Sequence, residues 1–194
     1  MNKLLLILLG SLTLHSAAFA NCPKTDFYFS CFSGENFMNQ TYLNDGEARF
    51  ERGYMGAIAA GYKVDFYILS RLEAEFSGRN NDLDYVVGSW GDRYYLLGRA
   101  RSYSLFANAY WDINTFCGIT PYIGYGYGYS FMNTKISGRN FEVEGSDSFV
   151  VHQFIGGFKT PLNEFIDVGL EYRYFLARAM YREQNVGITF TLKI

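Results

Sequence analysis

The sequence has 194 residues, of which 49% are hydrophobic and 19% aromatic, with 20 Gly and 3 Pro. This composition excludes a disordered chain and favours strands and sharp turns over helices. The formal net charge is −2 and there is no basic stripe, which gives no reason to propose nucleic acid as a partner.

The first element is a leader. Lys3 supplies a positive start, Leu4-Leu5-Leu6-Ile7-Leu8-Leu9 opens an apolar run, and Ala18-Phe19-Ala20 is a small-x-small cleavage site. Residues 1–20 therefore read as a secretory signal peptide cut between Ala20 and Asn21, and residues 21–194 as one domain. A retained anchor is the alternative, but the apolar run is short for a hydrocarbon core of about 30 Å. Cys22 raises the question of lipidation, and Asn21 before it fits a lipobox poorly. No later stretch of about 18 consecutive apolar residues exists, so a transmembrane helix is not available. Two outcomes remain: a soluble exported β-protein, or a spanning β-barrel, which satisfies its backbone groups in lipid without helices.

Beyond the leader the pattern has period 2. It predicts eight strands over about 26–38, 53–65, 67–78, 94–113, 119–133, 147–160, 164–177 and 184–194. In the third, Arg71, Glu73 and Glu75 share one face, and Leu72, Ala74 and Phe76 the other. The fourth is long and its in/out parity is ambiguous, as a bulge or a projection beyond the membrane would make it. In the fifth, Gly124, Gly126 and Gly128 share a face opposite Ile123, Tyr125, Tyr127, Tyr129 and Phe131. The seventh sets Asp167, Glu171 and Arg173 against Ile166, Val168, Leu170, Tyr172 and Tyr174. The eighth alternates Val186, Ile188, Phe190, Leu192 and Ile194 with small or polar residues.

The charged faces alone fit either the wet side of a sandwich or a polar barrel interior. The aromatic stripe of the fifth strand decides between them. Facing water it is an aggregation hazard; facing lipid it is a barrel girdle. The connections support the barrel: 39–52, 79–93 and 134–146 are long and polar, whereas those near Asp65-Phe66, Asn114–Gly118 and Pro161-Leu162-Asn163 are short. The fold class expected is thus all-β: an eight-stranded antiparallel up-and-down transmembrane β-barrel with short periplasmic turns and long extracellular loops. A barrel of that size is filled by side chains, so Arg71, Glu73, Glu75, Asp167, Glu171 and Arg173 read as an interior plug rather than a conduction path.

Several stretches, in this order, resemble a known family: Phe27-Tyr28-Phe29-Ser30, then Leu105-Phe106-Ala107-Asn108-Ala109-Tyr110-Trp111-Asp112, then Thr120-Pro121-Tyr122-Ile123-Gly124-Tyr125-Gly126, then Gln153 with Gly156-Gly157, and Leu170-Glu171-Tyr172-Arg173-Tyr174. They look like the small outer-membrane β-barrels that include OmpA/OmpX-type barrels, and especially the surface-antigen porin-like proteins of alphaproteobacteria and rickettsia-like bacteria. Asn185-x-Gly187-x-x-Phe190-x-Leu192 is similar to the signal read by barrel-assembly machinery. Many relatives end on an aromatic residue, whereas this chain ends on Lys193-Ile194. The resemblance implies a bacterial outer-membrane location, with outer-membrane lipid and the assembly machinery as partners.

Chemistry is sparse. The mature chain has one His, His152, followed by Gln153 and Phe154, so the His-x-Ser arrangement of lipid A deacylases is absent. His152 is expected on the Val150/Phe154 face or near a strand end. No His/Cys/Asp cluster has metal-ligand spacing, and no cofactor is expected. Cys22 and Cys117 are both expected on the periplasmic side, which makes a disulfide between them a hypothesis that requires their Cα atoms within about 7 Å. Cys31 reads as a buried or lipid-facing thiol. The leading function is a surface protein whose outer loops engage a host or envelope partner, through residues such as Asn44, Asp45, Glu47, Arg49, Glu51 and Arg52, or Arg79, Asp82, Asp84, Trp90, Asp92 and Arg93. A narrow low-conductance porin is the alternative. A lipid-modifying outer-membrane enzyme ranks third.

Overall fold

A computed structural model describes residues 26–38, 41–43, 46–66, 69–88, 93–94, 97–113, 117–137, 142–177 and 181–194. The segment read as a leader, the predicted Ala20/Asn21 junction and Cys22 lie outside the described residues, as do Asn44, Asp45, Trp90 and Asp92. Eleven strand segments are present among the described residues: β1 (Phe27–Met38), β2 (Thr41–Leu43), β3 (Gly46–Phe50), β4 (Gly53–Phe66), β5 (Leu69–Gly88), β6 (Arg93–Tyr94), β7 (Leu97–Asp112), β8 (Thr120–Ser137), β9 (Glu142–Pro161), β10 (Ile166–Ala177) and β11 (Tyr181–Lys193). Eight of them follow one another around a ring, β5-β4-β1-β11-β10-β9-β8-β7, and pairing of β7 with β5 closes it. Every neighbouring pair is antiparallel. Closure leaves no unpaired edge in the ring, the condition for a sheet to cross hydrocarbon.

Period 2 sorts the side chains. Phe29, Ile58, Phe76, Leu105, Tyr127, Phe154, Leu170 and Phe190 all point outward and are exposed. In water such a belt would drive aggregation; in a bilayer it is the lipid contact. Inward positions mix small and polar residues with large buried ones such as Phe32, Met55, Phe106 and Phe175. Glycines there make room for large neighbours: a Cβ on Gly124 would lie 2.7 Å from the Tyr110 ring.

Two sequence expectations change. The segments 79–93 and 134–146, read as loops, are largely strand. β5 continues to Gly88, β8 runs to Ser137 and β9 starts at Glu142. Segment 39–52 likewise contains β2 and β3, which pair in turn onto the outer half of β5. The reason is solvent. Above the belt the outward face is wet and polar while the inward face also carries polar residues such as Arg79 and Asn81, so the alternation of apolar and polar residues that reveals a strand disappears, while the backbone ladder persists. Exposed ladder pairs such as Arg99–Asp82, at 2.9 Å, mark these extensions.

The fourth predicted strand, β7, has no bulge. Its register runs unbroken from Leu97 opposite Ser137 to Asp112 opposite Tyr122. Ala100, Ser102, Ser104, Phe106, Asn108 and Tyr110 face inward and are buried. Its parity was ambiguous because Phe106 and Tyr110 lie inside whereas Arg99 and Arg101 lie outside.

Candidate functional site: the charged interior and the outer wall

The interior is layered along the barrel axis. At the periplasmic mouth Lys193 Nζ meets Asp167 Oδ1 at 2.7 Å. Lys159 Nζ meets Asp112 Oδ2 at 2.5 Å. The other oxygen of Asp112 accepts from Arg71 Nε at 3.1 Å. The Arg71 guanidinium lies over the ring of Tyr110 at 4.4 Å and that of Tyr122 at 5.0 Å. It also reaches Glu73 at 3.5 Å, and the Tyr28 hydroxyl donates to Glu73 at 2.8 Å.

One layer up, Arg173 is shared by two carboxylates. Its Nη1 lies 2.8 Å from Glu75 Oε1, and its Nε donates to Glu171. Asn108 Nδ2 donates to Glu75 at 2.8 Å, Gln153 Nε2 donates to Asn108 at 2.8 Å, and the Tyr122 hydroxyl donates to Glu171 at 2.7 Å. Higher still, Arg79 Nε meets Glu183 Oε2 at 3.1 Å with both side chains 1% exposed. An apolar cluster that includes Met38, Ala100, Phe106, Val151, Phe175 and Ala177 packs at the extracellular end. Among the charged layers a void of about 10 Å³ remains, beside Arg71, Glu73 and Lys159. That is room for about one water molecule. Isolated charges would not survive in so dry a space; mutual pairing and added hydrogen bonds allow it.

The charged residues singled out in the sequence separate into two groups. Arg71, Glu73, Glu75, Glu171 and Arg173 are buried in the two linked layers, whereas Asp167 stands apart at the periplasmic mouth. Sequence reasoning missed Asp112, Lys159 and the Arg79–Glu183 pair. Arg79 was expected in an outer loop. It is instead 3% exposed inside the barrel, because β5 continues through it. Its inward parity with Arg71, Glu73 and Glu75 was the available signal.

The remaining residues fall as follows. Asn185 is buried opposite Asn36, and Gly187 lies opposite Gly34. Phe190 and Leu192 point outward into the belt. Cys31 is exposed on the outer face, which settles it as lipid-facing, and Cys117 is exposed in the turn before β8. His152 points outward with Val150 and Phe154, its Nδ1 2.6 Å from the Tyr125 hydroxyl. Among the described residues no group of three or more His, Cys, Asp or Glu is placed to hold a metal. Glu51, Arg52 and Asp82 are exposed at the outer end.

On the outer wall the charges are wet. Arg99 and Asp82 pair with about half of each side chain exposed. Replacing Asp82 with alanine should therefore change unfolding free energy by about 1 kcal/mol or less, measured by urea titration of the refolded protein in vesicles. A larger loss would mean that the pair is shielded from solvent.

Comparison with known proteins now bears on the fold. Neisserial surface protein A has a TM-score of 0.61 at 17% identity, with 89% of this chain and 100% of that chain covered. Ail of Yersinia pestis, in complex with the heparin analogue sucrose octasulfate, has a TM-score of 0.54 at 14% identity, with coverage of 89% and 100%. At these identities the likeness is one of fold. No curated protein matches the chain in sequence. Residues 4–193 match the outer membrane protein beta-barrel domain. That match spans the whole closed ring, so the chain belongs to the outer membrane protein beta-barrel family and its apolar belt is the surface that sits in the bacterial outer membrane.

Proposed function

We propose that this protein is a non-enzymatic surface protein: the barrel is a filled anchor, and its extended outer wall recognises a partner on a host cell or envelope surface. The observation that carries this reading is the uneven rim. β10 ends at Ala177, opposite Val151 of β9. β9 nevertheless extends outward to Glu142, paired with β8 throughout. The part of β9 beyond the barrel, residues 142–150, corresponds to about 30 Å of strand. It displays Glu144, Ser146, Asp147 and Ser148 in the open. Filled barrels gain nothing for their own closure from such an extension, and exposed polar segments on a rigid scaffold suit recognition.

Shortening the β8–β9 hairpin by removing residues 132–147, which takes out Glu144, Ser146 and Asp147, tests the reading. Cells displaying the shortened protein should lose at least tenfold in adherence to host cells, while heat-modifiable migration on gels still reports a folded barrel. Unchanged adherence would refute it. The filled interior also predicts no stable large conductance in planar bilayers; steady large-conductance openings would favour a channel instead. The non-enzymatic part rests on His152, whose ring faces lipid and is hydrogen-bonded to Tyr125. Incubation with lipid A should leave its acyl-chain number unchanged by mass spectrometry.

A further inference from the structure

The outward face of β7 changes character step by step. From the outside inward it carries Arg99, Arg101, Tyr103, Leu105 and Ala107. Each belongs to a row that crosses neighbouring strands. The outermost row is Asp82–Arg99–Lys135–Glu144, and the next is Asn80–Arg101–Asn133–Ser146. These rows border an open cavity of about 950 Å³ on the outer wall. Its acids are largely engaged: Asp82 holds Arg99 at 2.9 Å, and Glu144 holds Lys135. Glu51, the third acid at this cavity, is exposed at its edge.

Arg101 differs from its neighbours. It donates to the neutral Asn80 Oδ1 at 3.3 Å, and its own row contains no carboxylate. Below it Tyr103 stacks on Phe76, ring centroids 6.2 Å apart and nearly parallel. This places Arg101 at the upper border of the aromatic belt, where headgroups begin. Beneath the stacked pair a shallow apolar groove lies in the lipid-facing wall. Its floor is a row of three outward alanines, Ala60–Ala74–Ala107, and Phe29 and Tyr127 close the two ends of that row.

We infer that this strip binds one outer-leaflet lipid with a phosphorylated sugar headgroup of the lipid A type. Its phosphate lies on Arg101, its sugar in the cavity above the belt, and an acyl chain in the alanine-floored groove. Three features point to this occupant. The order cation, aromatic, apolar groove down one strand reproduces the polarity profile of a lipid standing in a leaflet. A guanidinium with a neutral partner is free to turn two N–H groups toward phosphate oxygens. Asn133 and Ser146, in the row of Arg101, supply neutral hydrogen-bonding groups suited to sugar hydroxyls. The site lies on the wall of the barrel, so it does not depend on whether the rim binds a host or envelope partner.

The test uses full-length refolded protein in detergent, with native mass spectrometry of bound lipid. Bisphosphorylated lipid A and phosphatidylglycerol are the probes. Wild-type protein should retain one lipid A and hold phosphatidylglycerol at least tenfold more weakly. Arg101→Gln and Ala107→Phe should each lower lipid A retention at least tenfold, with heat-modifiable migration unchanged because both side chains face outward. Ala74→Leu replaces Ala107→Phe if the latter fails to fold. Wild-type retention by either the arginine or the groove variant overturns the proposal, as does equal binding of phosphatidylglycerol.

Discussion

Replacing Arg173 with methionine will destabilise the folded barrel by about 3–5 kcal/mol, read as a lowered urea midpoint with an unchanged slope in vesicles. Arg173 is 4% exposed and lies between two acids, Glu75 at 2% and Glu171 at 4%. Methionine matches the length of the arginine stem, and its thioether can keep the contact that the guanidinium makes over the Phe32 ring. What it removes is charge. Glu75 then keeps the amide of Asn108, and Glu171 keeps the Tyr122 hydroxyl, but the two carboxylates are left in one buried layer without their shared cation. Neutralising them should recover much of the loss: the triple variant Arg173→Met, Glu75→Gln, Glu171→Gln is expected well above the single variant, since uncharged polar groups with partners cost far less to bury. If Arg173→Met costs no more than Asp82→Ala on the wet wall, the interior charges are solvated and the barrel is not filled.

That interior was partly legible in the sequence. Alternation in β5 and β10 separates Arg71, Glu73 and Glu75, and Glu171 and Arg173, from their apolar neighbours, because a lipid-facing surface demands an apolar residue at every second position. Three things were hidden. Above the belt the demand stops, so Arg79 and Glu183 could not be told from loop residues although each keeps the inward parity of its strand. Tyrosine is ambiguous, since its ring suits lipid and its hydroxyl suits a buried acid; Tyr28 and Tyr122 turn inward, whereas Tyr125 and Tyr127 turn outward. Finally, partners are distant. Arg173 and Glu75 are 98 residues apart, and only the order of strands around the ring brings their faces together. The sequence pattern states which face a residue occupies; closure of the ring determines what it meets there.

Substituting Gly61 with valine will reduce the heat-modifiable, folded fraction sharply and cost about 3 kcal/mol or more in vesicles. Gly56 and Gly61 lie on the same strand, β4, but on opposite faces: Gly56 shares the outward parity of Ile58, and Gly61 the inward parity of Ala57 and Ala59. Their surroundings differ. A Cβ on Gly56 would meet nothing closer than 3.8 Å, whereas one on Gly61 would overlap the ring and hydroxyl of Tyr28. Tyr28 cannot simply swing aside. It is 1% exposed and donates to Glu73 at 2.8 Å. Overpacking costs about 1–3 kcal/mol, and stripping a buried carboxylate of a hydrogen bond adds about 1–3 kcal/mol. Gly56→Ala should therefore be close to neutral. Adding Tyr28→Ala to Gly61→Val should recover stability relative to the sum of the two single losses, by about 0.5–3 kcal/mol, because the second change removes the atoms the first collides with. Strict additivity would mean that the collision is relieved elsewhere, by movement of β1 against β4, and that this inward glycine is there for the backbone rather than for the ring it faces.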